Sequence, residues 1–303
     1  MRDGRSSRRC ERRTVHPALA SGTHSLTAQP RIGVAYRRQV AAQIFDLRSE
    51  IDCLEILVEH FLPLTTERRR ELEQLRQEFV LIPHGVALSP GSVQRAPDEY
   101  YERVGELVAL IEAPFFGEHA SISRGGGYDL RHLSPVWRTQ ASLDRLVENL
   151  ELAMDRLGVP IALETIAETH QLPGAEIPWD EFAVQAAQRS GGELLVDVTN
   201  VWVNRANRIV VNQPDLYGKL GQASWRQFHL AGIAREADGF YVDSHDHALT
   251  EPVLDAYRDA IRIQAAPFAI VERDARLEAF DELAGDLQAL RRVHEQELIP
   301  GRA

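Results

Sequence analysis

From residue 31 onward, short runs rich in β-branched and other apolar residues alternate with longer stretches whose apolar positions recur at helical spacing. That rhythm is the one a parallel sheet with crossover helices requires. Strands are predicted over 32–35, 53–58, 79–83, 114–117, 161–163, 194–196, 227–230 and 268–271. Amphipathic helices are predicted over 39–48, 66–78, 97–111, 141–157, 179–189 and 251–264, with Pro97 in a first turn and Thr250 as a cap. No internal repeat beyond this rhythm and no long linker divides the chain. Residues 31–303 therefore read as one domain, a TIM-type (β/α)8 barrel of α/β class, and 303 residues suit one such barrel.

The first thirty residues break the pattern. Arg2, Arg5, Arg8, Arg9, Arg12 and Arg13 stand among Ser and Thr with almost no apolar periodicity, which predicts a disordered basic arm over 1–30. No apolar stretch follows these arginines, so the arm does not resemble a secretory signal. Elsewhere no run approaches the ~18 apolar residues of a membrane span, and a cytoplasmic protein with no membrane partner is expected. A formal net charge of -11 disfavours nucleic acid, whose backbone attracts surplus Lys and Arg. The only cysteines, Cys10 and Cys53, offer neither a disulfide framework nor a thiolate metal site.

The informative residues stand where the predicted strands end. His84 closes Leu-Ile-Pro-His, Glu118-His119 closes Phe-Phe-Gly-Glu-His, Glu164 closes Ile-Ala-Leu-Glu, and Asp197 closes Leu-Leu-Val-Asp; His229 follows Gln-Phe, and Glu272 closes Ala-Ile-Val-Glu. In a (β/α)8 barrel all C-terminal strand ends meet at one face, so these residues converge on one cavity. A single His or Glu at a strand end is usually a hydrogen-bonded loop residue. Several buried carboxylates around one cavity repel one another unless cations join them, which turns the set towards metal binding. In Asp243-Ser-His245-Asp-His247, alternation puts Asp243 and His245 on one side of an extended segment, while Asp246 and His247 suit a polar turn. Imidazole and carboxylate without thiolate suit Fe, Mn or Zn, and a shared carboxylate such as Glu164 lets neighbouring ions divide substrate binding from oxygen or water chemistry.

Taken in order, these motifs resemble those of the multinuclear non-heme iron-dependent oxidative enzymes, the family of the methanobactin- and 3-thiaglutamate-biosynthesis enzymes. The resemblance covers about residues 31–274. It rests on Pro83-His84-Gly85-Val86 with Leu88-Ser89-Pro90-Gly91-Ser92, Gly117-Glu118-His119, Leu163-Glu164, Leu195-Val196-Asp197-Val198-Thr199-Asn200, His229-Leu230-Ala231-Gly232, Asp243-Ser244-His245 and Val271-Glu272-Arg273-Asp274. It implies two or three iron ions in mixed Fe(II)/Fe(III) states, held by His84, His119, Glu164, Asp197, His229, Asp243, His245 and Glu272, with Asn200 as a further ligand or neighbour. It also implies O2 as co-substrate, oxidation of cysteine in a ribosomally made precursor peptide with hydrogen taken from the cysteine β-carbon, and a partner protein that binds the peptide. The sequence departs from the family pattern at Thr165 and Thr199, where Asn is usual, at Glu59-His60, where Glu-Asn is common, and in lacking a basic-Pro-His signature after the first strand. These departures touch the expected substrate space and leave the ligands intact.

Two other functional classes share the fold argument: a metal-dependent hydrolase or isomerase of the endonuclease IV or xylose isomerase kind, and a metal-stabilised peptide-binding module. Asn200, Asn204 and Arg273 are the candidates for substrate contact; a turn-forming role for Asn204 and a structural ion pair for Arg273 are the competing readings, as aromatic packing is for Trp202. Gly125-Gly126-Gly127 lacks the Lys of a phosphate loop and suggests a flexible lid over the cavity.

Overall fold

In the computed structural model, residues 30–168, 170, 172–209 and 215–298 are described, and the basic arm expected over 1–30 lies outside them except for Pro30. The strands are β1 (Arg31–Ala35), β2 (Cys53–Leu57), β3 (Val80–Gly85), β4 (Phe116–His119), β5 (Ser121–Gly125), β6 (Tyr128–Pro135), β7 (Ile161–Glu164), β8 (Glu193–Asp197), β9 (Trp225–Ala231), β10 (Ile233–Arg235), β11 (Tyr241–Asp243) and β12 (Phe268–Glu272). Eight of them close into a parallel barrel in the order β1-β12-β9-β8-β7-β4-β3-β2. These eight are the strands predicted from the alternating pattern, each within a few residues of its expected place. The fold is thus the (β/α)8 barrel.

Around it lie α1 (Ala41–Asp46), α2 (Thr66–Glu78), α3 (Asp98–Leu110), α4 (Gln140–Leu157), α5 (Trp179–Ser190), α6 (Val198–Ala206), α7 (Leu216–Leu220), α8 (Glu251–Ile263) and α9 (Phe280–Leu298). Helix α4 shows why the pattern was legible. Leu143, Leu146, Val147, Leu150, Ala153 and Leu157 recur on one face and are buried, the Thr139 side chain accepts from the Ser142 amide at its start, and Gly158 ends it in the left-handed conformation. No helix among the described residues is long and apolar enough to cross a membrane.

Several details differ from expectation. Pro97 occupies the N-cap position of α3, not its first turn; it is Pro252 that stands in a first turn, that of α8. Thr250 precedes α8 but makes no side-chain cap, and its hydroxyl has no partner. The helix expected over 39–48 begins as a 3-10 turn at Arg38–Val40 before α1. The triglycine segment is the turn of an antiparallel β5/β6 hairpin, with Gly126 and Gly127 at positive φ. It is anchored where Ser89 Oγ accepts from the Ser123 and Arg124 amides, at 2.8 and 3.1 Å. A second hairpin, β10/β11, follows β9.

Candidate metal centre

Side chains two residues apart on a strand share a face. Inside the barrel Cys53, Ile82, Ala162, Leu195 and Ile270 form an apolar plug together with Ala35, Phe115 and Phe268. Two residues further along the same strands stand Glu55, His84, Glu164, Asp197 and Glu272, all buried. Gly117 and Gln227 precede His119 and His229 in the same way. Strand register then sets neighbours: His119 lies opposite Glu164 across β4 and β7, and Asp197 opposite His229 across β8 and β9. Gly117 makes room for this row, since a Cβ there would stand 2.4 Å from His84 Nδ1.

Glu164 is central. Its Oε2 lies 3.2 Å from His84 Nε2 and 3.3 Å from His119 Nε2, and its Oε1 lies 3.6 Å from His229 Nδ1. It belongs to two groups whose ligand atoms fall within 4.8 Å of one another, His84/His119/Glu164 and Glu164/Asp197/His229. A third such group is Glu55/His84/His229. His119 Nδ1 is 3.1 Å from the Gly85 carbonyl oxygen, which can only accept, so Nδ1 carries a proton and Nε2 is the nitrogen turned towards Glu164. Asp197 accepts from the Asn200 amide nitrogen at 2.8 Å and from its side-chain Nδ2 at 2.9 Å, leaving the buried Asn200 Oδ1 without a partner.

Asp243, His245 and Glu272 flank these groups without being part of them. Glu272 Oε2 is 3.2 Å from His229 Nδ1 and 3.9 Å from His245 Nε2, and Asp243 Oδ2 is 2.7 Å from His245 Nε2. The two do meet, but not through strand alternation as expected. β11 ends at Asp243, and His245 has a left-handed backbone (φ 51) that folds its ring back onto that carboxylate. His247 pairs with Asp246 and is half exposed, as a polar turn should be.

The row also places residues away from the cavity. Asn204 is wholly buried; it accepts from the Glu168 amide at 2.8 Å and donates to the Ile166 carbonyl at 3.0 Å, so it pins the loop after β7 instead of meeting substrate. Arg273 is buried and paired with Asp286 and Glu282 at 3.0 and 3.1 Å, because it is the outward neighbour of the inward Glu272. Arg273 follows its competing reading as a structural ion pair, and Trp202 packs edge-on against Tyr241, whereas Asn204 lies within α6 and forms no turn. Glu118 points opposite to His119 and holds the Leu88 and His119 amides. Glu59 accepts from the Val86 and Ala87 amides and the Tyr100 hydroxyl, building the loop behind His84.

Sequence reasoning missed Glu55 and Asp274. Glu55 lies within a β-run, two residues beyond the plug residue Cys53, so the period-2 argument that serves His84 would have found it. Asp274 stands 3.3 Å from His245 Nδ1 and pairs with Arg37. The cavity above the row measures about 790 Å³; Arg131, His132 and Leu133 of β6 and Phe240–Val242 of the second hairpin are among the residues of its wall.

Electrostatics points the same way as geometry. Burial, then Asp243, Glu164 and Glu272, push the Asp197 carboxyl well above its usual range. Burial opposes charge on His119, but Glu164 and Glu118 outweigh it and raise that imidazole to about 9. Glu272, although buried, is held down at about 2 by His229 and His245. The row therefore demands more positive charge than nearby side chains supply. Buried Glu164 Oε2, His229 Nδ1, Asp243 Oδ1 and Asn200 Oδ1 lack hydrogen-bond partners, and all four are atoms of the kind that ligate a cation.

Over residues 31–295 the sequence matches the family described as RiPP precursor modification enzyme MbnB/TglH/ChrH. The chain belongs to this family. A UPF0276 protein of Streptomyces avermitilis is 33% identical over 278 residues, 87% of this chain, and the match spans about half, 55%, of that protein's own length. Among solved structures, a xylose isomerase domain protein from Planctomyces limnophilus shares the fold with a TM-score of 0.59 and 12% identity, covering 89% of this chain and 99% of that one. Endonuclease IV from Thermus thermophilus does so with a TM-score of 0.56 and 15% identity, covering 87% and 100%. At such identities the likeness is one of fold. Family membership implies a metal cofactor, and the residue row provides groups able to hold one.

Proposed function

We propose that this member of the family is a multinuclear iron- and O2-dependent oxidative enzyme that modifies cysteine in a ribosomally made peptide, in the cytoplasm and with a peptide-binding partner protein. The observation that carries the reading is Glu164, whose two oxygens face two different imidazole-carboxylate groups. His84, His119 and Glu164 would hold one ion and Glu164, Asp197 and His229 a second, with Asp243, His245 and Glu272 available to a third. Bound iron supplies one-electron and O2 chemistry and polarises a ligated substrate atom. The protein's own groups orient and exclude. Asn200, fixed by Asp197 and lining the cavity, keeps a buried Oδ1 without a partner and is the proposed substrate contact or extra ligand. Asp274 beside His245 Nδ1 can hold a proton there, and both hairpins contribute side chains to the wall of the cavity.

A metal-dependent isomerase or hydrolase is the second reading, favoured by the barrel neighbours whose names carry those activities. The two separate on oxygen. Iron-loaded protein incubated with a cysteine-containing precursor peptide, a peptide-binding partner protein and O2 is expected to give a mass change confined to the cysteine-bearing fragment. Sugar isomerisation or nucleic-acid cleavage under argon with Mn(II) or Mg(II), and no oxygen-dependent mass change, would overturn the proposal.

A further inference from the structure

The β5/β6 hairpin keeps its ladder at both ends and loses it in the middle. Ser121 and Ile122 pair with Pro135 and Ser134, and Arg124 and Gly125 pair with Asp129 and Tyr128. Between these stretches Ser123 alone stands opposite Leu130, Arg131, His132 and Leu133. The surplus residues bulge out of the ladder, and Arg131 takes a left-handed backbone (φ 50), a conformation rare for a residue with a Cβ. The Asp129 side chain pins the bend by accepting from the Arg131 amide at 2.9 Å. The support is fixed as well. The Ser123 and Arg124 amides donate to Ser89 Oγ, and the Gly127 amide in the hairpin turn donates to Gln94 Oε1 at 2.8 Å. An arginine that merely faces solvent needs no such device; this bulge brings Arg131, with His132 and Leu133, into the wall of the cavity above the row.

Two arginines of the described residues line that cavity, and they differ. Arg37 is committed, since its guanidinium pairs with Asp274 and donates to the Tyr36 carbonyl oxygen. Arg131 is exposed, and among the described residues its guanidinium has neither hydrogen bond nor ion pair. A planar, permanently charged fork left open on a cavity wall fits a carboxylate. A polyanion fits badly, because Glu168, Glu236, Asp238 and Asp274 share the wall. We infer that Arg131 is a specificity-determining residue that takes one carboxylate of the peptide substrate, from an acidic side chain or from the C-terminus, and so sets which residue of the peptide reaches the row. The inference deepens the peptide reading above and rests on it.

The test titrates the full chain, labelled with 15N-arginine and kept under argon, with short synthetic peptides. Each carries one cysteine in a Gly/Ser background and an amidated C-terminus. In one set a single Asp is moved stepwise away from the cysteine, and matched sets carry Asn or Lys in its place. One further peptide lacks such a residue and ends in a free acid. One placement of the carboxylate is expected to bind about 3- to 10-fold more tightly than its Asn or amide match. It should also shift the Arg131 side-chain resonance, assigned by its loss in Arg131→Gln. That variant is expected to lose the preference, and Arg131→Glu to favour Lys instead. Whether the Asp set or the free acid shows the effect tells which carboxylate the site takes. Peptides that bind wild type without regard to charge, or a preference that survives in Arg131→Gln, would overturn the inference and leave the peptide reading standing. If no peptide binds, neutral ones included, the peptide reading has failed and the inference with it.

Discussion

Asp197 lies opposite His229 across β8 and β9 and at the same time caps α6 with its Oδ1, so one carboxylate serves both the buried row and the start of a helix. Its neighbours Asp243, Glu164 and Glu272 oppose its charge. Asparagine caps as well as aspartate. Asp197→Asn is therefore expected to lower metal content while making the metal-free protein more stable, by roughly 1–3 kcal/mol for relief of a poorly compensated buried charge. Calorimetry of chelator-treated wild type and variant checks this; a lower melting temperature in the variant would count against it.

Glu164 takes part in two of the three groups, His119 in one. Metal analysis after reconstitution should therefore show a larger loss for Glu164→Ala than for His119→Ala, and His84→Ala should lose metal without unfolding the barrel. Equal losses for Glu164→Ala and His119→Ala would mean that Glu164 is not shared.

Arg138 and Glu168 form a buried pair, with Nη1 at 2.7 and 2.9 Å from the two carboxylate oxygens. Burial raises the Glu168 carboxyl even so. Arg138→Met strands that carboxylate and should cost about 3–5 kcal/mol in a urea titration, while adding Glu168→Leu should restore most of it. A double variant as unstable as the single one would show that the ring of contacts, not the charge, sets the cost.

His294 is buried on α9 and shares a hydrogen bond with the Tyr257 hydroxyl of α8. Burial, with Arg291 adding, lowers it from 6.5 to about 4. As pH falls, the unfolded chain takes up this proton first, so stability present above about 6.5 is lost as pH approaches 4. The contribution is roughly 3 kcal/mol at 1.36 kcal/mol per pH unit. Urea midpoints of His294→Gln should depend less on pH over that window than those of wild type; parallel curves would refute the assignment.

The barrel was legible because its strands are buried on both faces and read as apolar runs, while α4 and α8 carry one clean apolar stripe each. The ligand row was legible at strand ends, where a polar residue interrupts such a run. Glu55 was missed because it stands inside its run, where a carboxylate looks like a strand irregularity until its partner on β9 is known. Asn204 and Arg273 could not be placed from sequence: one lies on a helix of unforeseen start, and the other is turned outward by the same alternation that turns Glu272 inward. The bend at His245 likewise depends on contacts with Asp274 and Ala275, thirty residues away.

Elemental analysis with Mössbauer spectroscopy of anaerobically purified protein tests the central claim most directly. The account predicts two or three irons per chain in mixed oxidation states. Stoichiometric Zn, Mn or Mg without iron would contradict it and favour the isomerase or hydrolase reading.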